Sequence, residues 1–100
     1  MIMLRLATLL TLAASPALAM LSPFYDSAEK ITTILQDAAV ADALRQAPIG
    51  AIRNTGSFPD GADEWTVRTQ ECDLVLKLIA KPPGMAGKAT YSVEISTPCP

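Results

Sequence analysis

The sequence predicts an α+β fold: one N-terminal amphipathic helix packed on a three- to four-stranded antiparallel sheet, a meander, with one disulfide. Apolar residues recur at helical spacing between residues 28 and 41. Short segments rich in β-forming residues, separated by turn residues, fill the second half of the chain. The two cysteines lie at the start of the third segment and just past the end of the fourth.

The predicted helix has two candidate starts. Ser22 can cap a helix with Pro23 in its first turn, and Asp26 offers a second start further along. We expect the helix to end near Ala47, because Pro48 lacks the N–H that a continuing helix donates. One side of this helix is apolar and consists of Ala28, Ile31, Ile34, Leu35, Ala38 and Ala41. That side is predicted to face the sheet.

The apolar pattern changes after Ala41. Asp42 and Arg45 then fall on the side that was apolar, whereas Val40 and Leu44 fall on the opposite side. Two interpretations are open for a single continuous helix: its last turns overhang the sheet, or they contact a partner.

Four segments have the composition of strands. They span residues 49–55, 64–69, 72–81 and 89–97, and the third is the most regular. A loop over residues 57–63 contains a Pro-Asp-Gly turn, and a second loop over residues 82–88 begins with Pro-Pro-Gly. Sequential strands joined by short loops predict an antiparallel meander.

The cysteines predict a strand register. If Cys72 faces Cys99 across an antiparallel pair, the numbers of paired residues sum to 171. Side chains alternate between the faces of a sheet, so one face then holds the pairs Leu74–Thr97, Leu76–Ile95, Leu78–Val93 and Ala80–Tyr91. The other face holds Lys77–Glu94, Val75–Ser96 and Ile79–Ser92. Trp65, Val67 and Thr69 extend the first face through a tight turn at residues 70–71.

Residues 1–19 have the features of a cleaved signal peptide. Arg5 precedes an apolar run over residues 6–14, Pro16 interrupts it, and Ala17-Leu18-Ala19 matches the pattern read by a signal peptidase. The alternative is a retained membrane anchor, but Pro16 cuts the apolar run short of the about 20 residues that a span needs. We expect export to the periplasm or the medium, with no stable membrane insertion after cleavage.

Residues 20–100 form a single small exported α+β domain in this interpretation. A domain of this size gains much from a covalent link, and two cysteines in an exported chain predict a Cys72–Cys99 disulfide. Such a link stabilises the folded chain by about 3 kcal/mol on the chain-entropy model.

Charge and composition narrow the classes of function. After cleavage, seven Lys and Arg stand against ten Asp and Glu, and this net charge of −3 disfavours nucleic acid as a partner. The chain has no histidine, so no Ser-His-Asp or Cys-His site is possible, and we predict no metal and no cofactor. Carboxylates are the remaining candidates for catalysis, and they are Asp60, Asp63, Glu64, Glu71 and Asp73.

Four side chains are candidates for an interaction site. Phe24 and Tyr25, at the start of the domain, either cap the open end of the core or form an apolar arm that docks on a partner. Arg53 and Arg68 lie on neighbouring predicted strands and form either a recognition patch or a solvated face of the sheet.

The sequence thus favours a non-catalytic exported domain, of an inhibitor or accessory type, that binds an envelope or extracellular protein or another envelope component. A minimal carboxylate-based hydrolase of cell-wall or glycan substrates is one alternative, and a small-ligand carrier is another. The oligomeric state is left open.

Overall fold

A computed structural model describes residues 21–82 and 89–100. The predicted signal peptide, residues 1–19, lies outside the described residues, as does most of the predicted loop over residues 82–88. The described elements, in chain order, are helices α1 (Pro23–Leu35) and α2 (Ala38–Ala43) and strands β1 (Ala51–Ser57), β2 (Asp63–Arg68), β3 (Asp73–Lys81) and β4 (Thr90–Thr97). The strands form one antiparallel sheet in the order β1-β2-β3-β4. The predicted combination of helical structure with a four-stranded antiparallel meander, and the Cys72–Cys99 disulfide, are confirmed.

Helix α1 begins at the first of the two predicted starts. The Ser22 hydroxyl oxygen accepts a hydrogen bond from the backbone N–H of Tyr25 at 3.3 Å, and Pro23 occupies the first turn. Both residues suit this position, because the first N–H groups of a helix have no partner within it.

The prediction of a single helix ending near Ala47 is wrong, since α1 ends at Leu35 and a second helix begins at Ala38. Asp37 causes the break, because its carboxylate accepts from the backbone N–H of Val40 at 3.1 Å and caps α2.

The break gives α2 a different buried side from α1. Val40 is 3% exposed and Leu44 6% exposed, so both belong to the core and neither overhangs the sheet. Leu35 and Ala38 are exposed, and the predicted apolar side fails at these two positions.

Helix α2 ends without a glycine. Arg45 and Gln46 both take the left-handed conformation, with φ of 54° and 55°. The backbone N–H of Gln46 donates to Ala41 at 2.9 Å and that of Arg45 to Asp42 at 3.0 Å, which satisfies carbonyls at the end of the helix.

The predicted β3–β4 register is confirmed between Leu76–Ile95 and Ala80–Tyr91, including Lys77 opposite Glu94. It is wrong at the two pairs nearest the disulfide. Val75 lies opposite Thr97 instead of Ser96, so Leu74 does not pair with Thr97, and Ser96 is an extra residue in β4. Such bulges are common on edge strands like β4, and Pro98 next to it has no N–H to extend the ladder.

The disulfide Cys72–Cys99 is present despite the bulge. Its Cα atoms lie 5.7 Å apart, within the usual range, and it joins positions 27 residues apart in sequence. The preceding turn at residues 70–71 is held by Thr69, whose hydroxyl oxygen accepts from the N–H groups of Glu71 and Cys72, each at 3.3 Å. Among the described residues, neither Gln70 nor Glu71 takes a positive φ, so this turn relies on a side chain.

The core lies between the helices and one face of the sheet. Its buried apolar members are Ile34, Val40, Leu44, Trp65, Val67, Leu74, Leu76 and Leu78. Trp65, Val67 and Thr69 lie on the predicted face, and all three are buried.

Candidate interaction surface

Two charged side chains of α1, those of Asp26 and Lys30, are directed toward the sheet. Lys30 Nζ lies 2.7 Å from a carboxylate oxygen of Asp63 in β2, and the side chain of Lys30 is only 21% exposed. The Tyr91 hydroxyl in β4 donates to Asp26 at 2.5 Å. Surface helices usually turn their charged side toward solvent, and α1 reverses this arrangement at Asp26 and Lys30.

These four residues form one polar cluster, here called the clamp: Asp26, Lys30, Asp63 and Tyr91. Lys30 Nζ also lies 3.6 Å from Asp26 and 5.5 Å from the centre of the Tyr91 ring. The hydrogen bond that Lys30 donates to the Asp63 carboxylate raises the pKa of Lys30. Burial, followed by the hydrogen bond to Asp26, raises the pKa of Tyr91 to about 12. At neutral pH both groups keep their protons, so neither serves as a general base, and the clamp positions the helix.

The aromatic side chains at the start of α1 face solvent. Phe24 is 73% exposed and Tyr25 is 62% exposed, and their rings contact edge to face with centroids 5.1 Å apart. Neither ring is covered by the core, and the apolar arm that docks on a partner stays a prediction.

Other apolar side chains continue this surface along the helix. Phe24, Ala28, Ile31 and Leu35 are spaced four, three and four residues apart, which places them on one side of α1. We call these four residues the apolar stripe. Ala28 and Ile31 in its middle are half-buried, and Ile31 packs against the core, whereas Leu35 at the far end of the stripe is 48% exposed.

A shallow groove adjoins the Leu35 end of the stripe. It measures about 160 Å³, and the buried side chains of Ile34, Val40 and Val67 are among those that line it. Ile49, on the segment that leads to β1, is 47% exposed and forms part of the same groove. Sequence reasoning identified neither Leu35 nor Ile49 as exposed.

The predicted arginine pair lies on the face of the sheet opposite to the core. Arg53 and Arg68 line one shallow groove of about 260 Å³, together with Asp73. Arg68 binds Asp73 through two hydrogen bonds of 2.7 and 2.9 Å, which raise the pKa of Arg68 and lower that of Asp73. Arg53 lies opposite Thr66 and forms no ion pair within the described part of the chain. The structure therefore places the two arginines side by side on one face of the sheet. Phe24 and Tyr25 lie elsewhere, on α1.

Three of the five candidate carboxylates lie in ion pairs with different bases. Asp60 binds Lys77 at 2.6 Å, Asp63 binds Lys30, and Asp73 binds Arg68. Within residues 21–82 and 89–100, no group of three or more Asp, Glu or Cys residues could hold a metal ion.

Comparison with known protein families finds no matching family model, and comparisons with curated proteins and solved structures find no significant match. None of the described helices is long and apolar enough to cross a membrane. The disulfide fits a protein of an extracellular or periplasmic compartment, where oxidising conditions preserve it.

Proposed function

We propose that this protein is a small, non-catalytic, exported domain that binds another protein through the apolar stripe of α1. One observation carries the proposal: α1 packs its charged Asp26 and Lys30 against the sheet and exposes Phe24 and Leu35. The helix buries Ile34, and burying Phe24 and Leu35 as well would stabilise a free monomer, because apolar burial stabilises by roughly 25 cal/mol per Å². Exposed apolar surface of this kind is typical of an interaction site.

Two further features support a binding domain over the alternatives. Asp60, Asp63 and Asp73 are neutralised by basic partners, and a glycosidase needs two carboxylates that flank a cleft. A ligand carrier needs a pocket of about 300–1,000 Å³, and the grooves beside Leu35 and Arg53 measure about 160 and 260 Å³.

Export is part of the same proposal. The predicted signal peptide over residues 1–19 directs the chain to an oxidising compartment, and the Cys72–Cys99 disulfide suits that destination. We expect the partner to be a protein of the periplasm or the medium.

Quantitative affinity capture tests the proposal. The exported protein is used as bait on envelope and culture-medium extracts, beside a Phe24→Ser/Leu35→Ser bait. Ile95→Ser provides the matched control, because Ile95 is a large apolar residue that is 37% exposed on β4. We expect specific partners to be retained by wild type and the control and lost from the double variant. Equal retention by all three folded baits would contradict the proposed use of α1.

A further inference from the structure

We propose that the stripe binds a second copy of this chain, with the two α1 helices antiparallel about a two-fold axis. This inference rests on the proposed function, since it uses the same stripe and names its occupant. A two-fold contact uses one patch twice, so the patch must be complementary to itself.

The spacing of the stripe provides that complementarity. In an antiparallel pair centred between residues 29 and 30, Phe24 of one copy lies opposite Leu35 of the other, and Ala28 lies opposite Ile31. The four, three, four spacing is the heptad pattern of paired helices, in which each side chain enters a space between side chains of the facing helix. The small Ala28 near the centre lets the helices approach, while the large, exposed residues meet at both ends.

The charge distribution favours self-association on this side of the helix. The positions that flank the stripe hold Tyr25, Ser27, Thr32 and Ile34, and none of them is charged. The helix does carry Asp26, Glu29 and Lys30, but all three lie off the stripe, and Asp26 and Lys30 are engaged in the clamp. Two copies of an acidic chain can therefore meet here without like charges in the flanking positions.

The exposed area indicates a weak dimer. From the exposed fractions of Phe24 and Tyr25, and roughly 150–250 Å² for a fully covered aromatic side chain, the two residues offer roughly 200–340 Å² per copy. With the half-exposed Leu35 and Ile49, two copies can bury at most roughly 700–1,000 Å² of side-chain surface in total, below the about 1,200 Å² at which stable specific interfaces begin. The dimer should form at high concentration and dissociate on dilution.

Sedimentation velocity tests this pairing. The protein is expressed from the full chain, and the form that the cells accumulate is purified. Wild type should shift from the mass of one chain at micromolar concentration to that of two chains near the millimolar range. Phe24→Lys and Leu35→Glu each place a charge opposite an apolar side chain, so each variant should stay monomeric over that range. A mixture of the two variants should dimerise again, because the introduced lysine of one chain then meets the introduced glutamate of the other, while the second layer stays Phe24 against Leu35.

Gln70→Lys and Gln70→Glu are the controls, since they add the same charges at an exposed turn away from α1, and both should dimerise as wild type does. Wild type that stays monomeric near the millimolar range would overturn the inference, as would a dimer insensitive to Phe24→Lys and Leu35→Glu. A mixture that stays monomeric would overturn the antiparallel register. Affinity capture separates the two proposals: stripe-dependent retention of a different protein by a monomeric wild type overturns self-pairing and leaves the binding function intact.

Discussion

Two leucines in the helical region provide a direct test of the break at Asp37. Leu44 is 6% exposed, whereas Leu35 is 48% exposed. A single continuous helix reverses this relation, because it places Leu35 toward the sheet and Leu44 away from it. Replacing each leucine with alanine is the same chemical change at both sites. The broken helix predicts a larger loss of stability at Leu44, and a continuous helix predicts a larger loss at Leu35.

The structure predicts a large difference between the two variants. Leu44→Ala removes buried methyl groups at the edge of the core and should lower the free energy of unfolding by about 2–3 kcal/mol, the lower part of the range for buried leucines. Leu35→Ala should cost less than about 1 kcal/mol, since half of the side chain already contacts solvent. Alanine is a good helix former at both positions, so helix propensity does not explain the difference.

Urea unfolding followed by circular dichroism measures both free energies. In a domain of this size, the loss at Leu44 corresponds to a fall in melting temperature of about 10–20 °C. Val40→Ala, which alters a second core residue of α2, should also destabilise, and Phe24→Ala at an exposed site should not. Equal losses for Leu35→Ala and Leu44→Ala, or a larger loss at Leu35, would refute the assigned break and the burial of α2.

Two further predictions concern the clamp and the disulfide. Because the folded-state pKa of Tyr91 is raised to about 12, its stabilising contribution is fully present below pH 10 and is lost as the pH rises toward 12, where the raised pKa of Lys30 acts in the same direction. Urea unfolding across this range should therefore show a steeper loss of stability for wild type than for Tyr91→Phe, and parallel losses would contradict the clamp. Replacing Cys72 and Cys99 together by serine should lower the free energy of unfolding by about 3–4 kcal/mol. Wild type under reducing conditions is the control, and an unchanged melting temperature in the variant would contradict a stabilising link.

The alternation of apolar and polar residues along the sequence predicted most of the strands and their buried face. Leu74, Leu76 and Leu78 are buried as the period of two requires, because alternation follows from strand geometry alone. The disulfide set the correct register for most of β3 and β4. It did not predict the extra residue Ser96, because a disulfide constrains the end of a hairpin and leaves room for one bulge before it.

The sequence contained a sign of the break between the helices, because its apolar pattern did not fit one continuous helix. Val40 and Leu44 did not fit the apolar side of one helix, and Asp37 just before them is a favourable cap for a second one. A change in the phase of an apolar pattern therefore indicates a change in helix direction when a capping residue stands at that point. The turn after α2 gave no comparable signal, because Arg45 and Gln46 take the conformation usually taken by glycine.

The candidate interaction surface depends on contacts between residues that are far apart in the sequence. Lys30 meets Asp63 at a sequence separation of 33 residues, and Asp26 meets Tyr91 at a separation of 65. No periodicity within α1 reveals such partners, so the sequence predicted only which apolar side of the helix faces the sheet. Phe24 and Tyr25 could be identified as candidates from the sequence, because they are aromatic residues at the start of the predicted domain.

The clamp and the apolar stripe are two consequences of one orientation of α1. The clamp and the buried Ile34 together fix the rotation of the helix about its axis, because Asp26, Lys30 and Ile34 lie on one side of α1. This rotation exposes Phe24 and Leu35 to solvent, although burial would be more favourable for both apolar side chains. Half-buried polar pairs add little net stability over apolar packing, but they discriminate between alternative orientations. The clamp thus holds α1 in the orientation that exposes the apolar stripe, which is the surface that we propose binds a partner.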